Sequence, residues 1–204
     1  MKKLMLVLIV LAAFAVPAVG GTLTIKAVPS SMAAGVPGEL QVEFWAQGYP
    51  SVWGFEVNPL FILNEADVSS TFSLKPDPLN QIFLDEDSQG YSVTHNAAKW
   101  PGVFGFVIDM GPGTDVGFIT MGFDKPCYEP TWLMTITYSY NQLAAGTYTI
   151  NAELDGDYGV GVVDTNGRIF GQTVIPATFI VVPEPATIAL LGVGLAGILI
   201  RRRR

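Results

Sequence analysis

Cysteine and histidine are almost absent from this chain: Cys127 and His95 each occur once. A single cysteine excludes an intrachain disulfide, so the fold must stand on its core. One His with one Cys falls short of the several ligands a zinc site needs at defined spacing. A Ser-His-Asp triad would have only His95 as its base, and no Gly-x-Ser-x-Gly elbow supplies a nucleophile. Basic residues are also scarce in the middle of the chain. Of 11 Lys and Arg, two are Lys2 and Lys3 and four are Arg201 to Arg204, which leaves Lys26, Lys75, Lys99, Lys125 and Arg168. Of 18 Asp and Glu only Glu184 lies outside that middle portion, so its balance is −12 against −7 for the whole chain. This sign opposes binding to a phosphate backbone and excludes nucleic acid as the expected partner. A sustained 3.6-residue hydrophobic period with caps is missing too, which argues against a helical body.

Turn residues and short alternating runs are plentiful, with 22 Gly and 14 Pro. Thr22 to Val28, Glu39 to Trp45, Val52 to Val57, Gly102 to Met110, Gly117 to Phe123, Thr131 to Tyr140, Gly146 to Leu154 and Thr178 to Val182 read as strands, and Asn80 to Leu84 as a weaker one. Leu40, Val42 and Phe44 share one face of their strand, and Trp132, Met134, Ile136 and Tyr138 one face of theirs. The nearly continuous apolar run from Val103 to Ile108 predicts a strand covered on both faces. Asn58-Pro59 is expected to end the third strand, and the two glycines of the Gly117 to Phe123 strand, Gly117 and Gly122, suggest a bulge or an edge. Asn141 to Ala145 has the length for one helical turn. Short strands at roughly 8–12-residue spacing predict an all-β, antiparallel β-sandwich of jelly-roll or immunoglobulin-like kind, with a barrel as alternative.

The two ends differ from this body. Lys2 and Lys3, an apolar stretch from Leu4 to Phe14, and Ala15-Val16-Pro17-Ala18 make a secretory signal peptide over residues 1–20. Residues 21–181 then form the β-domain and residues 182–204 a C-terminal signal. There Pro183-Glu184-Pro185 precedes an apolar run from Ala186 to Ile200 and the block Arg201-Arg202-Arg203-Arg204. Its apolar stretch gives roughly 22 Å of helix against a hydrocarbon core of about 30 Å, short for a permanent span, and the arginines oppose transfer across the bilayer. A transient membrane anchor fits these lengths. The alternative is an ordinary tail anchor.

Val182 to Arg204 closely resembles the sorting signal of bacterial PEP-CTERM proteins: Pro-Glu-Pro, a short Gly- and Leu-rich helix, then terminal arginines. The resemblance implies processing by an exosortase near Pro183-Glu184-Pro185, with an inner-membrane intermediate and delivery to the cell surface or extracellular matrix. In the body, Ala34-Gly35, the strand through Val42 and Phe44, Gly54 to Val57, Trp132 to Tyr138 and Ala145-Gly146-Thr147-Tyr148 together look like the layout of cohesin-like β-sandwiches associated with carbohydrates. That likeness lies in strand edges and carries no functional motif.

Three constellations remain. Trp45, Tyr49, Trp53 and Phe55 form an aromatic cluster, and Trp45 with Trp53 is a candidate platform for stacking on extracellular polysaccharide, against the plainer reading of core aromatics. Asp155 and Asp157, with Asp164, place oxygen ligands at alternate positions and are candidates for calcium, yet Gly159 and the missing bidentate Glu break the EF-hand pattern, and hairpin turns explain them as well. Asp85-Glu86-Asp87 reads as a solvated loop. The chain thus reads as an exported, non-enzymatic structural or adhesive β-sandwich; a carbohydrate- or protein-binding module is the alternative, and a carboxylate-dependent hydrolase a third.

Overall fold

The computed structural model describes residues 20–109, 114–120, 125–153, 161–163, 170 and 172–183. Both expected ends, the signal peptide and the stretch from Glu184 onward, fall outside them, as do the turns at Gly111 to Gly113, Asp155, Asp157 and Asp164. Among the described residues no helix is long and apolar enough to cross a membrane.

Among the described residues fifteen strands form two sheets. In chain order they are β1 (Gly21–Val28), β2 (Ser31–Ala33), β3 (Gly38–Gln47), β4 (Gly54–Leu63), β5 (Ala66–Asp67), β6 (Phe72–Leu74), β7 (Phe83–Leu84), β8 (Val93–His95), β9 (Val103–Asp109), β10 (Thr114–Thr120), β11 (Thr131–Tyr140), β12 (Gly146–Glu153), β13 (Gly161–Val163), β14 (Gln172–Ile175) and β15 (Ala177–Val182). One sheet runs β14-β1-β3-β11-β6, with β8 also on β11; the other runs β2-β15-β12-β4-β10-β9-β7, with β13 and β5 also on β4. Most pairings are antiparallel, as expected. The parallel pairs β1–β14, β2–β15 and β7–β9 lie at the rims. Pro176 separates β14 from β15, and there the chain changes sheet.

The inner faces meet in an aromatic core. Leu40, Val42, Phe44 and Ala46 of β3 face Phe55, Val57 and Phe61 of β4, all almost fully buried. Phe44 and Phe55 approach to 5.7 Å between ring centroids. At one end Phe61 stacks on Phe72 at 4.0 Å, and Tyr148 on Phe179 at 4.8 Å. Phe72 meets Tyr148 and Phe179 edge-on, which ties both sheets together at a position where no disulfide exists.

Four local expectations fail for physical reasons. Strand β4 does not stop at Asn58-Pro59. Phe61 sends its N–H to Ser69 Oγ (3.0 Å) and takes the Val68 N–H on its carbonyl (2.8 Å). Pro59, two residues earlier, faces the same side, beyond the last β10 pair Val116↔Val57, so its missing donor leaves no ladder bond unmade. Strand β9 is not covered on both faces: Phe104 is 61% exposed. Gly117 marks neither bulge nor edge, since β10 lies between β4 and β9; a Cβ there would come within 2.5 Å of the Phe55 carbonyl and the Phe106 ring. Asn141 to Ala145 forms no helical turn, because buried Leu143 gives its carbonyl to Gly35 N (3.1 Å) and Ala144 gives its own to the Tyr148 hydroxyl (3.0 Å). The weaker strand shrinks to Phe83–Leu84, with Asn80 Oδ1 capping the preceding turn.

Replacing Phe61 by Ala should destabilise the domain by about 3–5 kcal/mol, since it removes a ring packed between Phe72 and Tyr138. Urea denaturation measures this, and an unchanged midpoint would show that the two sheets do not depend on this cluster.

Candidate functional site

The outer face of the six-stranded sheet carries an aromatic row. In β3 the side chains alternate, so Gln41, Glu43, Trp45 and Gln47 point away from the core. Strand β11 pairs Trp132 with Trp45 and Met134 with Phe44, leaving Leu133 as an extra residue. This bulge turns Trp132 outward and Leu133 into the core, where it is fully buried. One cross-strand level therefore reads Ile175, Thr24, Trp45, Trp132 from β14 to β11. Trp45 is held on two sides: its Nε1 donates to Glu43 (2.9 Å), and the Lys26 ammonium sits 3.9 Å from the ring centroid. Trp132 Nε1 donates to Thr135 Oγ1 (3.0 Å). A cleft of about 90 Å³ opens beside Trp45, lined by Thr24, Lys26, Gln47 and Pro130. It has room for about three waters, so the row is a platform and not a sugar-sized pocket.

Trp53 does not join it. Trp53 precedes β4 in the other sheet, where its N–H donates to Val163 (2.8 Å) and its carbonyl accepts from Thr120 (2.7 Å). The cross-strand neighbour of Trp45 is Trp132, and the three consecutive apolar residues Trp132-Leu133-Met134, which break the alternation, are the sequence signal for that bulge.

The outer face of the nine-stranded sheet is different. Phe104 pairs with Ile119 and Phe106 with Gly117, giving an apolar patch led by the exposed Phe104 ring. Beside it lies an acidic pair. Glu56 pairs with Gly117, and Asp115 sits two residues along β10, only 8% exposed. Burial, then the neighbouring Asp115 carboxylate, pushes Glu56 up to about 7. Among the described residues no three His, Cys, Asp or Glu side chains converge as metal ligands. The calcium candidates Asp155, Asp157 and Asp164 lie outside those residues.

Cys127, His95 and Asp85 are held within the fold. Cys127 is fully buried, exchanges both backbone bonds with Tyr49, and burial holds its thiol pKa up, partly offset by Lys99 and Thr131. His95 packs against Phe83 and Phe118 with Nε2 3.2 Å from the Trp100 carbonyl, and burial lowers its pKa. Asp85 takes the Asp87 and Gln89 N–H groups and the Tyr91 hydroxyl, while Glu86 and Asp87 stay in solvent.

The C-terminal exit is the third feature. Val181 and Val182 pair with Met32 and Ala33, Gly146 pairs with Val181 from the other side, and Ala34 N donates to the Val182 carbonyl at 2.8 Å. Pro183 follows at once.

Comparison with known proteins bears on this exit and on the sandwich. Residues 181–204 match the family model described as the PEP-CTERM protein-sorting motif. No curated protein matches the chain. Among solved structures, the type III cohesin module of the cellulosomal ScaE cell-surface anchoring scaffoldin of Ruminococcus flavefaciens is similar with a TM-score of 0.52 at 12% identity, covering 80% of this chain and 88% of that one. A non-cellulosomal cohesin from the archaeon Archaeoglobus fulgidus is similar with a TM-score of 0.51 at 11% identity, covering 83% and 96%. The body therefore has the fold of cohesin modules, and the chain ends in a PEP-CTERM sorting motif.

Glu56 generates a pH prediction. Its carboxyl is raised in the folded state, so its stabilising contribution is complete below the unfolded value of about 4.5 and is lost as pH rises through about 7. Glu56→Gln should gain thermal stability over the wild type at pH 8 and keep no such advantage at pH 4. The difference between the two proteins removes the opposite contribution of His95, and an equal gain at both pH values would refute the shift.

Proposed function

We propose that this protein is an exported binding module that an exosortase releases from the inner membrane to the cell surface or extracellular matrix. The observation that carries this reading is the overlap of the sorting motif, residues 181–204, with β15, which ends at Val182. The address is joined to the sandwich with no linker. In this reading residues 1–20 are a cleaved signal peptide, 21–181 the displayed domain, and 182–204 the sorting signal, whose apolar run holds the precursor in the membrane while Arg201 to Arg204 stay on the cytoplasmic side. The exosortase recognises Pro183-Glu184-Pro185, with Glu184 as its charged determinant.

The work of the displayed domain is adhesion to another protein and not catalysis. The cohesin-like fold supports a protein-binding module, and so does the Phe104, Phe106 and Ile119 patch, since exposed contiguous aromatic surface beside polar groups is characteristic of protein contacts. A second reading, in which the domain holds extracellular polysaccharide, is favoured by the Trp45–Trp132 row and its flanking Thr24, Gln47 and Glu43.

Two experiments separate these elements. Substituting Glu184 and Arg201 to Arg204 together by Ala should leave the precursor in the inner membrane, as seen by cell fractionation; surface delivery of that variant at the wild-type level would refute sorting by this signal. Phe104→Asp should be processed normally yet wash from the cell surface in buffer. Retention of Phe104→Asp together with loss of a Trp45→Ala, Trp132→Ala variant would instead assign the adhesive contact to the aromatic row.

A further inference from the structure

Chain direction places several ends at one pole of the sandwich. Strand β3 begins at Gly38, which pairs with Tyr140 at the end of β11; β12 begins at Gly146, which pairs with Val181 near the end of β15; and Val182 pairs with Ala33 at the end of β2. The loops 33–38 and 141–146 therefore flank the exit of the chain. Gly35 N donates to the Leu143 carbonyl and Ala34 N to that of Val182, so both loops are fastened to the exit and to each other. In a body with a balance of −12, neither loop has a charged residue: they read Ala-Ala-Gly-Val-Pro-Gly and Asn-Gln-Leu-Ala-Ala-Gly. Their exposed surface is uncharged, with Val36 43% exposed and Ala144 and Ala145 in solvent beside the polar amides of Asn141 and Gln142, and Val182 at the exit is 42% exposed.

Charge at this pole is held back from the exit. Glu65 lies on the β4–β5 turn, two strand positions from β15, which is about 10 Å at the usual strand spacing, and Asp67 lies in β5, one strand further. Glu39, on the opposite sheet, is paired with Lys75 at 2.8 Å. Beyond Val182 only Pro183, Glu184 and Pro185 precede the apolar run that starts at Ala186, and three residues span at most about 11 Å.

We infer that this uncharged pole, formed by loops 33–38 and 141–146, is a membrane-facing surface that rests on the lipid headgroups while the precursor is anchored. The occupant is the bilayer, because the chain outside the fold starts here and its tether is too short to hold the body away from the interface. An acidic body would be repelled by an anionic leaflet. Presenting the pole whose two exit loops carry no charged residue lessens that penalty, and Val36 with Pro37 supplies the apolar tip. The opposite pole, where β11 starts beside exposed Tyr128 and Glu129, then points away, about 30 Å further along β11 at 3.3 Å per residue.

This inference rests on the membrane-anchored reading of residues 182–204, and its test separates the two. The full chain, with single cysteines introduced as Val36→Cys, Ala145→Cys or Glu129→Cys and labelled with a small fluorophore, is reconstituted in phosphatidylethanolamine and phosphatidylglycerol vesicles containing lipid quenchers at headgroup depth. Native Cys127 is fully buried and stays unlabelled. The vesicles should carry the protein in flotation, and the labels at positions 36 and 145 should lose most of their emission while that at 129 keeps it. Flotation with no quenching at 36 and 145 would overturn the membrane-facing pole and leave the anchor standing. Quenching at 129 instead would mean that the N-terminal segment, which enters at the Gly21 end of β1 beside Gln47, holds the body, and would also overturn it. Absence of flotation would sink both readings. As a second variant, Val36→Asp with Ala145→Asp should restore the emission of a label placed at Ala144→Cys; unchanged quenching there would show that the uncharged surface is irrelevant to the contact.

Discussion

The pairing of β15 on both its edges is the constraint from which the rest follows. Val181 is almost completely buried between β12 and β2, and the carbonyl of Val182 is taken by Ala34. A strand gripped on both sides cannot drift, so the sorting motif starts at a fixed point on a fixed pole of the sandwich. The same strand contributes Phe179 to the aromatic cluster with Tyr148 and Phe72, and thereby links the exit of the chain to the contact between the two sheets. Without a disulfide, that cluster carries the cohesion a small exported domain often obtains covalently.

The two outer faces then divide the chemistry. Alternation along β3 sends Trp45 outward, and the β11 bulge brings Trp132 to its side; Lys26 and Glu43 lock Trp45 in place, so the platform is rigid before anything binds. On the other sheet Phe104 stands free beside Phe106, and Glu56 with Asp115 forms a carboxylate pair that favours a proton near neutral pH. The two outer faces of one sandwich thus differ in character, and each supports one of the two proposed binding readings.

Much of this was legible in the residues. Alternation at Leu40, Val42 and Phe44, and the run from Thr131 to Tyr140, give strands and inner faces directly, because the side-chain period of a strand is two. The terminal pattern of Pro-Glu-Pro, apolar run and arginines is equally readable, since each part has a separate physical meaning. What escaped depends on neighbours in space. Pro59 ends a strand only if its edge must donate, and here the pairing of β10 with β4 has already ended at Val57. The glycine at 117 looks like a weak point until the Phe106 ring is seen to occupy the place of its Cβ. Trp53 seemed a companion to Trp45 by proximity in sequence, whereas the turn between β3 and β4 carries it to the other sheet. The uncharged pole was invisible because its two loops lie about a hundred residues apart.

In the proposed function the folded body is cargo cut from its anchor at the edge of β15. Intact mass of the protein recovered from the extracellular fraction tests it most directly. The predicted species lacks the first 20 or so residues and everything beyond the Pro183-Glu184-Pro185 segment. A mass that includes the chain through Arg204 would contradict it and make the C-terminal segment a permanent anchor.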